Sequence, residues 1–391
     1  MKISKNAASV SPSVTMAVTA RAKELKGQGV DVVSFGAGEP DFDTPDFIKQ
    51  VAIDMLKAGR TKYLPASGDL GLRKEIARKL KDDNNLTYEP SQIVVACGAK
   101  HAVYEGIHAV VDEGDEVLIP TPYWVSYPEM VKLVGGVPVI VETKPEDGYK
   151  LTPETLKAAI TDKTAMLIFN SPSNPGGFCY SSEEIKALGE VLKGTKVVIL
   201  SDEIYEELIY GDMEFKSFAE VCPELYEQTL TVNGLSKAYS MTGWRVGYIA
   251  APKDAAKAIA GMQSHMTSGP ATFCQLASIE ALQKGAQDIK KMHAEFARRA
   301  IHISKRLNAI EGVTCAEPTG AFYVFPDVSA TYAKLGVQDS VGFCNKLLEE
   351  SAVACVPGGG FGCDRNIRLS FATSMEQIDK GIDRIEKFIN G

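Results

Sequence analysis

The sequence has few of the features that mark metal-binding, disulfide-rich or nucleic-acid-binding proteins. Its eight cysteines are scattered without a Cys-x-x-Cys pair, so neither a zinc ribbon nor a disulfide framework is indicated. Five histidines are present, and His101 and His108 have no cluster of Asp, Glu or Cys beside them in sequence, so we predict no metal site. Lys and Arg number 42 against 50 Asp and Glu, and this net charge of −8 disfavours nucleic acid or an anionic membrane as partners.

Long apolar runs are also missing. No stretch approaches the ~18 residues that a membrane-spanning helix needs, and the segment from Met1 to Asn6 lacks the apolar core of a signal peptide. Free thiols fit a reducing compartment, so we expect a cytoplasmic protein. What the chain does have is 391 residues that are 45% hydrophobic, enough for two or three domains whose cores need neither disulfides nor metals.

Short apolar segments alternate with helical patterns between residues 90 and 250. The predicted strands are Ile93–Ala96, Glu116–Ile119, Val137–Val141, Ala165–Phe169, Lys196–Leu200, Thr229–Val232 and Gly247–Ala250. One intervening helix, Glu183–Leu192, begins with Ser181 and Glu184 in capping-box spacing. Near-continuous apolar strands between amphipathic helices are typical of a parallel sheet that is buried on both faces. We therefore predict an α/β domain with a mostly parallel, seven-stranded sheet.

The flanking parts of the chain have a different pattern. A helix is predicted at Asp46–Ala58, with Thr44 as its N-cap. Beyond Pro270 a long helical region leads to less regularly spaced elements, predicted at Ala286–Leu307, Gly320–Phe325, Ala352–Val356, Asn366–Ala372 and Glu376–Ile389. We predict that residues 1–45 and 286–391 form a smaller α+β domain against a large domain of residues 46–285, with a ligand-binding cleft between them.

The strongest chemical signal is a lysine in a loop of small residues. Lys237 follows the predicted strand Thr229–Val232 and precedes Arg245 by eight residues. A lysine at the carboxyl end of a buried strand can condense with an aldehyde cofactor when burial and nearby cations favour loss of its proton. Arg245 can bind an anion there. An exposed loop lysine with an unrelated arginine explains this motif, taken alone, equally well.

A second signal is Asp202, which follows the predicted strand Lys196–Leu200. A carboxylate at this position could face a protonated ring nitrogen and so make the ring an electron sink, while Tyr205 could hydrogen-bond an oxygen on the same ring. Taken alone, a capping aspartate and a packed tyrosine explain the pair better.

Two further loops follow predicted strands. In the segment from Asn170 to Gly177, two prolines and two glycines constrain the loop around the amide of Asn174. In Gly98-Ala99-Lys100, small residues at a helix N-terminus could expose backbone N–H groups to a phosphate. Without a Gly-x-Gly-x-x-Gly or Walker pattern, this turn argues against a dinucleotide or a nucleoside triphosphate.

Together the four sites resemble those of the pyridoxal-phosphate aminotransferases of the aspartate aminotransferase superfamily, and the resemblance extends over nearly the whole chain. It is strongest to the bacterial-type branch that includes prephenate aminotransferases. The motifs that carry it are Ala37-Gly38-Glu39-Pro40-Asp41-Phe42, Lys62-Tyr63-Leu64-Pro65, Pro122-Tyr123-Trp124-Val125-Ser126-Tyr127, Asn174-Pro175-Gly176-Gly177, Asp202–Tyr205, Ser236-Lys237, Gly320-Ala321-Phe322-Tyr323 and Asn366-Ile367-Arg368-Leu369-Ser370. Two departures are Asn-Pro-Gly-Gly for the usual Asn-Pro-Thr-Gly, and Gly-Ala-Lys for the frequent Gly-Gly-Lys.

The resemblance implies a role in cofactor binding for many of these residues. Lys237 would form the Schiff base and shuttle protons, and Asp202 would face the pyridine nitrogen of pyridoxal phosphate. The other groups on the ring would be Asn174, Tyr205 and Trp124, with Lys100 beside them. The phosphate would be held by Gly98, Ala99, Ser236 and Arg245, and by Tyr63 from the other subunit of a homodimer with shared active sites.

The resemblance also implies how substrates would bind. Arg368 would hold the substrate α-carboxylate, helped by Asn174 and the backbone of Gly38. Trp124 would also contact the substrate, and Lys100 and Thr15 would bind the second carboxylate of a dicarboxylic substrate. For Thr15, capping of a helix over Met16–Lys26 is an equally good interpretation.

The implied function is transfer of an amino group between an L-amino acid and a 2-oxo acid. Aspartate with 2-oxoglutarate and glutamate is the leading substrate set, with prephenate as a further candidate. Alternatives on the same fold are an aromatic or alanine aminotransferase, a carbon–sulfur lyase and a racemase. A ligand-sensing domain would need a DNA-binding module, and the stretch before Val32 is too short and too poor in Lys and Arg to be one.

Overall fold

A computed structural model describes residues 1–11 and 14–391, without the side chain of Val14. Its helices are α1 (Lys5–Ala8), α2 (Val14–Gly27), α3 (Asp46–Lys57), α4 (Leu70–Asn84), α5 (Ala99–Val110), α6 (Ser126–Leu133), α7 (Pro153–Ala159), α8 (Ser182–Leu192), α9 (Phe218–Val221), α10 (Lys253–Met266), α11 (Thr272–Lys284), α12 (Ala286–Asn308), α13 (Tyr332–Leu335), α14 (Ser340–Ser351) and α15 (Met375–Asn390). Its strands are β1 (Val33–Ser34), β2 (Ile93–Ala96), β3 (Glu116–Pro120), β4 (Val137–Val141), β5 (Thr164–Asn170), β6 (Val198–Asp202), β7 (Thr229–Gly234), β8 (Gly247–Ala250), β9 (Tyr323–Val324), β10 (Val353–Ala354), β11 (Val356–Pro357) and β12 (Ile367–Ser370).

The predicted seven-stranded sheet is confirmed, with its strands in the order β2-β8-β7-β6-β5-β3-β4. Neighbours pair in parallel, except that β8 runs antiparallel to both β2 and β7. The bounds of all seven strands lie within two residues of those predicted. Because β3, β5, β6 and β7 are parallel, their carboxyl ends meet at one edge of the sheet, where α/β proteins bind ligands.

Both faces of the sheet are covered by helices. In β5, Met166 and Ile168 pack into a core with α5, α6 and α10, whereas Leu167 and Phe169 pack into a second core with α7, α8 and α9. Successive side chains of a strand point to opposite faces, so a strand buried on both sides must be apolar throughout. This is the physical reason why the apolar runs were recognisable in the sequence.

Helix starts were predicted with mixed success. The capping box of α8 is confirmed, since Ser181 Oγ accepts from the Glu184 N–H at 3.2 Å and Glu184 Oε2 accepts from the Ser181 N–H at 2.7 Å. The prediction that Thr44 caps α3 is wrong, because Pro45 is the N-cap. Thr44 Oγ1 instead donates to the Ser240 carbonyl at 2.6 Å and accepts from Trp244 Nε1 at 3.0 Å. These distant partners take the hydroxyl that a local cap would have used.

The C-terminal part forms the smaller α+β layer. Antiparallel strands β11, β12 and β9 form one small sheet, and β1 pairs in parallel with β10. Two predicted strands are too long. Ala321 and Ala352 have φ values of 56° and 52°, and an extended strand does not allow this left-handed conformation. The run Gly320–Phe325 therefore contributes only β9, and the run Ala352–Val356 is divided between β10 and β11.

The packing of the helices divides between these two parts. Residues of α3 and α11 lie in a core with β2 and β8, whereas α12, α14 and α15 surround the core of the C-terminal part. That second core also contains Ile204, Tyr205 and Leu208 from the loop after β6, so the C-terminal part packs over the carboxyl edge of the large sheet. The domain boundaries at residues 46 and 286 stay a prediction.

Three general properties bear on function. No helix within residues 1–11 and 14–391 is long and apolar enough to cross a membrane. Over the same residues, no group of three His, Cys, Asp or Glu side chains could hold a metal ion. All eight cysteines carry free thiols.

Candidate active site

A cavity of about 390 Å³ lies where the C-terminal part meets the carboxyl edge of the large sheet. Every residue that the sequence predicted for the site lines this cavity except Gly98 and Tyr63. Those that line it are Thr15, Gly38, Ala99, Lys100, Trp124, Asn174, Asp202, Tyr205, Ser236, Lys237, Arg245 and Arg368. The structure thus brings together residues from both ends and the middle of the chain.

The sheet explains why the central residues meet. Asp202 is the last residue of β6 and pairs in register with Asn170, the last residue of β5. Lys237 follows the end of β7 at Gly234, the next strand in the sheet. Parallel strands thus deliver a carboxylate, an amide and an amine to one edge.

Lys237 is placed for chemistry that needs a neutral amine. Its Nζ donates to the Gly38 carbonyl at 2.5 Å and lies 5.8 Å from the centre of the Tyr205 ring. Burial lowers the pKa of Lys237 to about 8, and the positive charges of Arg368 and Arg245 act in the same direction. The neutral form of the amine is therefore far more populated near neutral pH than in an ordinary lysine, which favours a nucleophilic role.

Asp202 is a buried carboxyl group, only 4% exposed. Its Oδ2 accepts from the Tyr127 hydroxyl at 2.7 Å, and its Oδ1 accepts from the Ile204 N–H at 3.3 Å. Burial raises the pKa of Asp202 to about 6, although the bond from Tyr127 favours the carboxylate. Tyr127 appeared in the sequence only as part of a motif, and nothing local indicates that it contacts a residue 75 positions away.

Arg368 is 2% exposed and is held by amide and aromatic groups. Its Nη1 donates to Asn174 Oδ1 at 3.0 Å and its Nη2 to the Gly36 carbonyl at 3.1 Å. The guanidinium lies 4.5 Å from the centre of the Tyr323 ring and 5.2 Å from that of Phe361. Its Nε is buried without a hydrogen-bond partner in the described structure. A buried charge with a spare donor fits a site that receives an anion.

The sequence motif did not assign a role to Asn170, which fixes the loop that carries Asn174. Its Oδ1 accepts from the Asn174 N–H at 2.9 Å, and its Nδ2 donates to the carbonyls of Asp202 and Pro172 at 2.9 and 3.2 Å. One amide thereby joins the end of β5, the end of β6 and the loop. The only sequence signal for this role of Asn170 was its position at the start of the loop.

Tyr205 is also part of a hydrogen-bonded pair that the sequence did not reveal. Its hydroxyl lies 3.0 Å from that of Tyr323, and both rings are buried. Tyr323 is 118 residues away and lies in the C-terminal part. The pair connects the two halves of the cavity wall.

The predicted anion-binding turn is compact. Gly98 has a φ of 86° and is the N-cap of α5, and a Cβ at this position would lie 2.5 Å from Arg245 Nη2. Arg245 donates to the Thr242 carbonyl at 2.8 Å and, at 3.4 Å, to that of Cys97. The first N–H groups of α5 have no acceptor within the helix. They lie beside a guanidinium group, which is an arrangement suited to phosphate.

Lys100, Trp124 and Thr15 lie at the mouth of the cavity. Lys100 Nζ is 4.8 Å from the centre of the Trp124 ring, and burial and Arg245 lower the pKa of this lysine. The prediction that Thr15 caps a helix over Met16–Lys26 is wrong, because α2 begins at Val14 and includes Thr15. Thr15 lines the cavity from the first turn. Pro12 and Ser13, which belonged to the same motif, lie outside the described residues.

Tyr63 is 96% exposed and lies outside the cavity of its own chain. Its contact with a cofactor across a subunit boundary stays a prediction.

The fold and the site define an α/β transferase built around a lysine at the carboxyl edge of a mostly parallel sheet. The sequence model of the family described as aminotransferase class I and II matches residues 30–385, so the chain belongs to this family. The chain is therefore an enzyme that transfers amino groups, as the sequence predicted.

Named relatives and solved structures agree. The chain is 50% identical to an aspartate aminotransferase of Geobacillus stearothermophilus, over 100% of this chain and 99% of that one. It is 46% identical to an aspartate/prephenate aminotransferase of Cereibacter sphaeroides, again over 100% and 99% of the two chains. The structure matches that of aspartate aminotransferase from Thermus thermophilus with maleate, with a TM-score of 0.94 and 41% identity over 99% of this chain and 100% of that one.

Proposed function

We propose that this protein is a pyridoxal-phosphate-dependent aminotransferase that uses aspartate and glutamate with their 2-oxo acids. One observation carries the proposal: Lys237, Asp202 and Arg368 lie in a single cavity. They supply an amine of lowered pKa, a buried carboxyl group and a buried guanidinium with an unpartnered Nε. A Schiff-base cofactor and a carboxylate substrate need these three groups.

The residues present fit the cofactor. The turn at Gly98 leaves no room for a side chain beside Arg245, so backbone N–H groups and a guanidinium face the same space, as a phosphate requires. Asp202 accepts only from Tyr127 and the Ile204 N–H in the described structure, which leaves acceptor capacity on the carboxylate. When bound, pyridoxal phosphate would supply an aldehyde for the amino group and a ring that takes up electron density.

Each residue of the chain then has a defined task. Lys237 would bond covalently to the cofactor and carry the transferred proton on Nζ, and Asp202 would keep the ring nitrogen protonated. Asn174 and Tyr205 would bind the ring oxygen, and Trp124 would stack on the ring. The phosphate would be held by Ala99, Ser236, Arg245 and the turn at Gly98. Lys100 would also contact the cofactor.

The preference for dicarboxylic substrates depends on the mouth of the cavity. Arg368 would hold the α-carboxylate with Asn174 and the backbone at Gly38. Lys100, which lies against Trp124, provides a second cation for a distal carboxylate, with Thr15 as a hydroxyl donor. Support comes from the Thermus enzyme, whose structure holds maleate, a dicarboxylate. The aspartate/prephenate name of the Cereibacter relative supports prephenate as a further amino acceptor.

The cofactor assignment is tested by borohydride reduction of the purified protein with pyridoxal phosphate, followed by peptide mapping. We expect the pyridoxyl label on Lys237. A label on another lysine, or no label, would contradict the assignment.

The substrate assignment is tested by a panel of half-reactions. The absorbance of the bound cofactor is followed as aspartate, glutamate, alanine, tyrosine and arogenate are each added. Aspartate and glutamate should convert the cofactor to its amino form fastest, and arogenate should react if prephenate is used. Preference for alanine or tyrosine would favour the alternative aminotransferases, and release of ammonia and pyruvate from a cysteine conjugate would favour a lyase.

We also propose a homodimer with shared active sites, in which Tyr63 reaches the phosphate of the other subunit's site. The ring of Tyr63 is exposed and lies outside the cavity of its own chain, as this arrangement requires. Mixing a Tyr63→Phe chain with a Lys237→Ala chain should give hybrid dimers in which one site has neither substitution. The mixture should then be more active than the sum of the two separate variants. Purely additive activity, or an active monomer in analytical ultracentrifugation, would contradict shared sites.

A further inference from the structure

Glu39 is an acidic residue at the cavity to which neither the motifs nor the proposed function gives a role. It follows Gly38, whose carbonyl accepts from Lys237 Nζ at 2.5 Å. Its Oε2 accepts from the Thr242 hydroxyl at 2.8 Å, and the Thr242 carbonyl accepts from Arg245 Nη1 at 2.8 Å. Thr242 therefore holds the Glu39 carboxylate with its side chain and Arg245 with its backbone.

The charges in the cavity are unbalanced. Among the described residues that line it, the cationic ones are Lys100, Lys237, Arg245 and Arg368, whereas the acidic ones are Glu39 and Asp202. Asp202 is already bound by the Tyr127 hydroxyl at the buried end. Glu39 is exposed at the open end of the same cavity.

We propose that Glu39 is a positioning residue for Lys237. The Glu39 carboxylate, which Thr242 holds in place, favours the protonated amine of Lys237 against two neighbouring guanidinium groups. This inference rests on the proposed role of Lys237 as the residue that carries the transferred proton. An amine that moves a proton must both release and recover it. A nearby carboxylate favours recovery, whereas burial and positive neighbours favour release.

The charges that act on Lys237 come from several elements of the fold. Arg368 on β12 and Arg245 before β8 disfavour the ammonium form, and Glu39 and Asp202 favour it. Of the two carboxylates, Glu39 has the larger effect on the pKa of Lys237. Removal of the Glu39 charge should therefore lower that pKa further.

The test is a titration of Lys237 in the full chain freed of cofactor. Competitive labelling with acetic anhydride at a series of pH values, read by mass spectrometry of the peptide that contains Lys237, gives the midpoint for this amine. In Glu39→Gln the amide can still accept from Thr242, so only the charge is lost. We expect the midpoint to fall by about 0.5–1 pH unit, a modest shift because water reaches the carboxylate.

Three further variants make the test specific. Asp43→Asn removes an exposed charge from the same segment but outside the cavity and should leave the midpoint unchanged. Glu39→Asp should recover part of the shift. Thr242→Val keeps the charge but frees the carboxylate, so it should lower the midpoint by less than Glu39→Gln does.

An unchanged midpoint in Glu39→Gln, or an equal shift in Asp43→Asn, would overturn the inference. The role of Lys237 is tested separately, because borohydride labelling of Lys237 in the native protein does not depend on Glu39. Failure of that labelling would contradict the proposed function, whereas normal labelling with no shift in the titration would contradict only the role of Glu39.

Discussion

The buried end of the cavity and its mouth are built from different kinds of structure. At the buried end, Asp202 and Asn174 are 4% and 7% exposed and are fixed by hydrogen bonds from the ends of β5 and β6. At the mouth, Thr15 lies on α2, Glu39 on a loop, and Lys100, which is partly exposed, on the first turn of α5. If the proposed function holds, the reaction would depend mainly on residues fixed at the sheet edge. The choice of substrate would depend on helices and loops, where side chains can change without disturbing the core.

The largest expected effect is at the buried end. Lys237→Ala should reduce turnover by about 10,000-fold or more, because it removes the group that would both bind the cofactor and move the proton. Cofactor should still bind without a covalent link, through Arg245 and the turn at Gly98. Steady-state rates and borohydride labelling measure the two effects, and residual activity above about 1% would place the proton transfer elsewhere.

Asp202→Asn should reduce turnover by about 100- to 1000-fold, the range seen when one preorganised electrostatic group is removed. The amide keeps the size of the side chain, so the thermal unfolding midpoint should change little. A near-normal rate would show that Asp202 has only a structural role at the end of β6.

Tyr127→Phe perturbs Asp202 less than its replacement by Asn does. It removes the hydroxyl that favours the carboxylate of Asp202, so the pKa of Asp202 should rise above about 6. The role proposed for Asp202 needs its ionised form, so the acidic limb of the kcat profile should move to higher pH. If the acidic limb does not move, ionisation of Asp202 does not cause the fall of kcat at low pH.

Arg368→Lys tests the proposed binding of the substrate α-carboxylate, between the buried end of the cavity and its mouth. A lysine cannot make two parallel bonds to a carboxylate, and it would also leave the oxygen of Asn174 without its present donor. We expect kcat/KM to fall by about 10- to 100-fold for every amino acid alike, the size expected for a lost hydrogen bond to a charged group. A loss confined to dicarboxylic substrates would place Arg368 at the distal carboxylate.

The smallest effect is expected at the mouth. Lys100→Ala should lower kcat/KM for aspartate and glutamate by about fivefold, or about 1 kcal/mol, because water reaches this partly exposed lysine and screens its charge. Alanine and phenylalanine should be almost unaffected. An equal loss for both classes would show that Lys100 acts on the cofactor or the fold, and the dicarboxylate assignment would lose its main support.

Much of the site was predictable because its residues belong to local motifs. Lys237, Asp202, Asn174 and Arg368 each stand in a short segment with a recognisable pattern. The segments of the first three follow predicted strands, and the carboxyl ends of parallel strands meet at one edge of a sheet. The failures were also local in origin. Thr44 and Thr15 have the sequence context of N-caps, but distant partners occupy Thr44 and α2 starts before Thr15.

The sequence by itself determined the seven strands of the large sheet, the capping box of α8 and the residues that the family motifs mark. Only the tertiary structure decided which groups touch: Tyr127 with Asp202, Tyr205 with Tyr323, and Thr242 with Glu39. These partners are separated by 75, 118 and 203 residues. Hydrophobic periodicity and capping act over a few residues, so they fix local structure. The charge on a buried group depends on what the packed fold brings beside it, and no local pattern contains that information.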